Sequence, residues 1–188
     1  MRRTALWSAG AGVATIICVA ALAFASATVG QAAPALVVQE LDGQTFDLGA
    51  QHGKVVVVNF WCTWCPPCRK EMPALDAFYR RYRSRGLEMI GVSADRARDR
   101  ADVRRFMMPF SYPAAMLDDA TVDGFGKPNA VPVTFVIDAS GIVRARLISE
   151  QTPLTEKTLS DAIVPLLPRE AATPSPQDRG RSTPDAKP

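Results

Sequence analysis

Cys65 and Cys68 stand two residues apart in the stretch Asn59-Phe60-Trp61-Cys62-Thr63-Trp64-Cys65-Pro66-Pro67-Cys68-Arg69-Lys70-Glu71. Two thiols at this spacing close and open a disulfide. A strand that delivers them onto the start of a helix is the layout of a thiol–disulfide redox site. Pro66 and Pro67 suit the first turn of that helix, where N–H groups have no intrahelical partner. Cys65 then takes the N-cap and Cys68 the third helical position. The helix dipole favours a Cys65 thiolate, which can be exposed, while Cys68 lies one turn in and is covered. Cys65 is thus the predicted attacking sulfur on a substrate disulfide, and Cys68 the sulfur that resolves the mixed disulfide.

The residues around the two cysteines tune this chemistry. Pro66 and Pro67 lack N–H groups and take away two donors that would stabilise a Cys65 thiolate, which points to a reducing couple. Glu71 lies one helical turn beyond Cys68. It is either a proton acceptor for Cys68 or a solvated residue that complements the helix dipole. Cys62 makes a third cysteine at the same spacing. No fourth ligand cluster accompanies it and the single histidine is His52, so a buried apolar role is favoured and no metal or cofactor is expected.

The elements that must position the site follow from the pattern on either side. Leu36–Leu41 and Thr45–Leu48 flank Asp42-Gly43-Gln44 and predict a hairpin. Val55–Trp61, continuous in Val, predicts a central strand buried on both faces. The helix after it runs to about Arg85, with Leu75, Phe78, Tyr79 and Tyr82 on one side, Pro73 as a kink and Gly86 as its stop. Leu87–Ala94 is a second strand, Asp99–Met108 a helix, Tyr112–Leu117 a short strand, and Asp118-Asp119 the cap of a short helix through Phe125. Val133–Asp138 and Ile142–Ile148 form a closing antiparallel pair, and Leu154–Leu167 a last helix. Val131-Pro132 reads as a loop into a strand. Right-handed crossovers would place helices on both faces of a mixed sheet.

The termini suggest an address. Nothing between Arg3 and Glu40 is charged, and Ala5–Val29 is long and apolar enough to span a hydrocarbon core. Arg2 and Arg3 before it orient the rest of the chain outward. Residues 1–33 are either a retained signal-anchor, the favoured reading, or a signal peptide cleaved near Ala25-Ser26-Ala27. Residues 34–167 form the domain. Residues 168–188 hold five prolines and no Leu, Ile, Val or aromatic residue, which predicts a disordered tail. A net charge of +3 without a basic-aromatic stripe argues against nucleic acid as a partner.

Over about residues 35–167 the chain resembles the thioredoxin superfamily, and within it the TlpA/ResA/DsbE group of thiol–disulfide oxidoreductases. The resemblance rests on Val55–Leu75 (VVVVNFWCTWCPPCRKEMPAL), on Gly91-Val92-Ser93, and on Val131–Asp138 (VPVTFVID) followed by Gly141. It implies an α/β, thioredoxin-like three-layer α/β/α sandwich with a mixed sheet and an N-terminal β-hairpin extension. It implies a cis Pro132 against the cysteines, with Val131 backbone groups free to pair with a substrate strand. Trp64, Pro66, Pro67 and Val131 are then the candidate substrate-binding residues, and Cys65, Cys68, Glu71 and Pro132 the catalytic ones. Glu71 matches an acidic residue that the group keeps near its thiols. Asn59 stands where thioredoxins hold a buried Asp, so acid–base work falls to Glu71.

The implied activity is reduction of disulfides in exported proteins such as apocytochrome c. The implied electron source is a membrane thiol carrier of the CcdA/DsbD type, on the periplasmic or extracytoplasmic side of a bacterial inner membrane. The rival readings are a DsbA-like thiol oxidase and a non-enzymatic binding module with a static clip. A peroxidase is disfavoured, because the Pro-x-x-x-Thr-x-x-Cys context of peroxiredoxins is absent.

Overall fold

A computed structural model describes residues 27–149, 151 and 153–168. Most of the expected membrane segment at 5–29, and all but the first residue of the expected tail at 168–188, lie outside them. Among the described residues no helix is long and apolar enough to cross a membrane.

Among the described residues seven strands and three α-helices follow one another as β1 (Leu36–Glu40), β2 (Thr45–Asp47), β3 (Val55–Trp61), α1 (Pro66–Tyr82), β4 (Leu87–Ser93), α2 (Arg100–Met107), β5 (Ala114–Asp123), β6 (Val133–Ile137), β7 (Val143–Ile148) and α3 (Glu156–Ile163). They make one mixed sheet in the order β2-β1-β5-β4-β3-β6-β7, a thioredoxin-like α/β arrangement. β3 lies well inside it, parallel to β4 and antiparallel to β6. All seven of its residues are buried, which is why it reads as an unbroken apolar run.

Side chains alternate across a strand. Val55, Val57 and Trp61 therefore enter one core and Val56, Val58 and Phe60 the other. Asn59 falls on the same side as Val57 and Trp61. That side is the helical one. Leu75, Phe78, Tyr79 and Tyr82 of α1 pack into it at helical spacing, with Leu159 and Ile163 of α3. The α1 helix continues through Pro73 to Tyr82. A tighter turn over Arg83–Arg85 follows, and Gly86 at φ +85° ends it in the left-handed region.

The second face differs from the sequence expectation. The steps β3-α1-β4 and β4-α2-β5 move in the same direction along the sheet, so two right-handed crossovers put both helices on one face. Val103 and Met107 of α2 accordingly join the core that α1 lines. The helix expected over Asp118–Phe125 would have covered the other face, but those residues extend β5 to Asp123 instead. Leu36, Val37 and Val38 of β1 pair with Asp123, Val122 and Ala120, and this ladder gives the backbone a partner that a short isolated helix lacks. Leu48, Leu117 and Phe125 help cover that face.

The hairpin forms around Gly43 at φ +97°, and through β1 it becomes one edge of the sheet. Residues ahead of β1 are tied to the β6–β7 hairpin. Gly30 N–H donates to Val143 O at 2.8 Å, and Ala33 N–H to Gly141 O at 2.8 Å. The last helix is shorter than expected, since Pro165 removes a donor and the chain tightens over Val164–Leu166.

Beneath the end of β3, Gly91 of β4 lets two rings close over the backbone. A Cβ there would lie 3.1 Å from Trp61 Nε1 and 3.1 Å from Tyr112 Cε2. Gly91→Val should therefore destabilise the fold by about 1–3 kcal/mol through overpacking. The check is a lower urea midpoint with an unchanged denaturant slope.

Candidate active site

The site begins where β3 stops. Beyond Trp61 the chain turns through Cys62–Cys65, closed by Cys65 N–H donating to Cys62 O at 3.2 Å. Asp95, just past β4 and only 3% exposed, fastens this turn. It accepts from Thr63 N–H at 2.8 Å and from Thr63 Oγ1 at 2.7 Å, and also from Ser93 Oγ at 2.7 Å. The parallel pairing of Trp61 with Ser93 sets the ends of β3 and β4 level, which brings Asp95 within reach.

Cys65 is the N-cap of α1, with Pro66 and Pro67 in the first two helical positions and Cys68 in the third. Cys68 N–H points at Cys65 Sγ at 3.3 Å, as a serine or aspartate cap would receive it. Cys65 and Cys68 form a disulfide with their Cα atoms 5.3 Å apart. Cys68 is fully buried, and Cys65 is more covered than its place at a helix start suggests. Its cover is the loop before β6, where Val131 O lies 3.6 Å from Cys65 Sγ. The Val131–Pro132 peptide is cis and Pro132 is buried. A groove of about 760 Å³ opens on Cys65, and Trp64, Pro66, Pro67, Arg96 and Val131 help line it. Trp64 stands 73% exposed beside the disulfide.

One turn of α1 beyond Cys68 lies a carboxyl. Glu71 is 4% exposed, so it is not a solvated dipole partner. Asn59 Nδ2 donates to its Oε1 at 3.2 Å and to Thr134 Oγ1 at 2.8 Å. Ser149 Oγ donates to its Oε2. Thr134 sits opposite Asn59 in the β3–β6 register, and Ser149 just past β7. Burial outweighs the two donors and pushes the Glu71 carboxyl up to about 7. A group of that kind takes up and releases protons at neutral pH.

The third cysteine, Cys62, is a buried free thiol. Its sulfur and those of Cys65 and Cys68 all lie within 4.8 Å of one another. Burial and the nearby Asp95 carboxylate push its thiol up to about 11.

The structure thus gathers Cys65, Cys68, Trp64, Pro66, Pro67, Val131 and Pro132 at one end of the sheet, with Glu71 below them. Asp95, Thr134 and Ser149 also belong here and were not foreseen. Thr134 lies inside Val-Pro-Val-Thr-Phe and was within reach of a closer reading. Ser149 carries no local signal, since it meets Glu71 from 78 residues away.

The chain matches the AhpC/TSA family model over residues 29–146. The thiol-disulfide oxidoreductase ResA of Bacillus cereus is 36% identical to it over 126 residues, which is 66% of this chain and 72% of that protein. A thioredoxin-family thiol:disulfide interchange protein from Chlorobium tepidum superposes with a TM-score of 0.61 at 28% identity, covering 76% of this chain and 99% of the other. A second Chlorobium tepidum structure, described as of the DsbE type, superposes with a TM-score of 0.58 at 23% identity over 73% of this chain and 99% of its own, and speaks to fold alone.

The Glu71 carboxyl gives a stability test. Between its ordinary value of 4.5 and about 7 the folded chain holds a proton that the unfolded chain has lost. The stability contributed by that proton is complete below 4.5 and is lost as pH rises through about 7. Urea unfolding at pH 4.5 and pH 8 should show a loss of at most roughly 3 kcal/mol in the native chain that is missing in Glu71→Gln. Parallel pH dependence in the two proteins would place the Glu71 carboxyl at an ordinary value.

Proposed function

Because the chain belongs to the AhpC/TSA family and is a thiol–disulfide oxidoreductase similar to ResA, we propose that it reduces disulfides in exported proteins. The observation that carries the direction is the cap of α1. Cys65 Sγ faces the helix start, yet Pro66 and Pro67 leave Cys68 N–H as the amide that reaches it from the first turn. A thiolate with few donors has a higher pKa, and its couple is more reducing.

In the proposed cycle the Cys65 thiolate attacks a substrate disulfide that lies in the groove beside Trp64, Pro66, Pro67 and Val131. One substrate sulfur leaves as a thiol and the other remains bound to Cys65. Cys68 then attacks Cys65 Sγ and the second substrate thiol departs, leaving the Cys65–Cys68 disulfide seen here. Glu71, poised near neutrality, takes the proton that Cys68 gives up. Val131, whose carbonyl lies against Cys65 Sγ ahead of the cis Pro132, is the proposed partner for the backbone of an extended substrate.

The location is proposed from the uncharged apolar segment at residues 5–29 and the two arginines before it, which favour anchoring with the domain on the extracytoplasmic side. There the electron donor would be a membrane thiol carrier of the CcdA/DsbD type. Apocytochrome c is the proposed recipient class, with other disulfide-bearing exported proteins beside it.

Equilibration of the domain against a thiol buffer of known poise tests the direction. A potential near about −270 mV is expected, and one near about −120 mV would make the protein an oxidant and overturn the reductase reading. Cys65→Ser should abolish turnover of a protein disulfide, whereas a static clip would never have supported any.

A further inference from the structure

The cycle above leaves one of the three cysteines gathered at the site idle. Cys62 has the same two-residue spacing to Cys65 that Cys68 has, on the other side. Its Sγ lies within 4.8 Å of both sulfurs of the disulfide. The backbone is already shaped for a bond between Cys62 and Cys65. The hydrogen bond from Cys65 N–H to Cys62 O closes a four-residue turn. Such a turn holds its end Cα atoms within about 7 Å, and a disulfide spans about 4.4–6.8 Å between Cα atoms. Asp95 holds the turn in place through Thr63. The backbone amides at Trp64 and Cys65 favour an anion on Cys62 and offset part of the effect of its burial.

We infer that Cys62 is a third redox sulfur, able to resolve a mixed disulfide on Cys65 in place of Cys68. This rests on the reading of Cys65 as the attacking thiol. The step balances without an outside oxidant. Cys62 sulfur attacks Cys65 Sγ, the Cys62–Cys65 bond forms, and the bond from Cys65 to the substrate sulfur breaks. The substrate sulfur leaves with the electron pair and takes the proton that Cys62 releases. Two thiols of the protein become one disulfide and the substrate is reduced, as with Cys68. The Cys68 thiol can then attack Cys65 and free Cys62, an exchange that moves no net electrons.

Burial and the Asp95 charge keep Cys62 protonated near neutral pH, so Cys68 wins while it is available. Cys62 becomes decisive when Cys68 is blocked. A bound substrate then still has an exit, where a two-cysteine site would hold it.

The fourth cysteine of the sequence, Cys18, falls in the apolar segment at residues 5–29, so the test uses the full chain carrying Cys18→Ala and the remaining thiols are those of the site. Cys68→Ser and the pair Cys62→Ala/Cys68→Ser are each reduced and given an excess of 5,5′-dithiobis(2-nitrobenzoate). With Cys68→Ser, two equivalents of coloured thiol should be released, and peptide mass mapping should find a Cys62–Cys65 disulfide. With Cys62→Ala/Cys68→Ser one equivalent should appear, and the adduct on Cys65 should last at least about tenfold longer. An adduct that forms on Cys68→Ser and persists as long as in the double variant overturns this inference alone. No adduct on either protein overturns the attacking role of Cys65, and the proposed cycle falls with it. The mass map of Cys68→Ser decides the matter even where the double variant folds poorly.

Discussion

The whole site depends on one hydrogen bond, from Cys68 N–H to Cys65 Sγ. Through it a sulfur does the work that a hydroxyl or carboxylate usually does at a helix start. Pro66 and Pro67 make this workable. Their fixed φ angles preset the first turn, and neither has an N–H left to satisfy. The helix start is thereby coupled to the redox state of its cap, since a thiolate accepts a hydrogen bond more strongly than a disulfide sulfur does. Asp95 supports this arrangement from below. It locks Thr63 and so holds the strand end at a fixed distance from the helix start.

Below the sulfurs a second balance is struck. Glu71 is buried on the first turns of α1, against Asn59 of β3 and Ser149 beyond β7. An acid at position 59 would have set two carboxyls against one another in the core. An amide there supplies a donor to Glu71 instead. Asn59 reaches Glu71 and Thr134 through the same nitrogen, while its Oδ1 is buried without a partner among the described residues. That orientation suits a carboxylate, because an ionised Glu71 can only accept.

Much of this was legible from residue order. The unbroken Val run named β3, the three-and-four spacing of Leu75, Phe78, Tyr79 and Tyr82 named the buried face of α1, and Pro-Pro between two cysteines named the cap. What failed was β5. Asp118-Asp119 imitates a helix cap, and the residues after it are half-buried without a clear period, because β5 is held by its ladder to β1 more than by a buried face. The environment of Glu71 was hidden for a related reason. Its donors come from positions 12 and 78 residues away, and no local pattern encodes a meeting at that distance. The nearness of Cys62 to the disulfide was visible only as a repeated spacing, and the turn at Thr63 turned that spacing into proximity.

The order of synthesis gives the Ser149–Glu71 contact a further meaning. The cysteines are made early, yet the loop that covers Cys65 comes 66 residues later and the hydroxyl that meets Glu71 follows Glu71 by 78. A growing chain therefore carries the three thiols of the site bare for most of the time its domain takes to be made. Pairings of such sequence distance form late in folding. The selectivity of the site is thus a property of the finished sheet, and the nascent chain must be kept reduced, or kept from strangers, until β7 is in place.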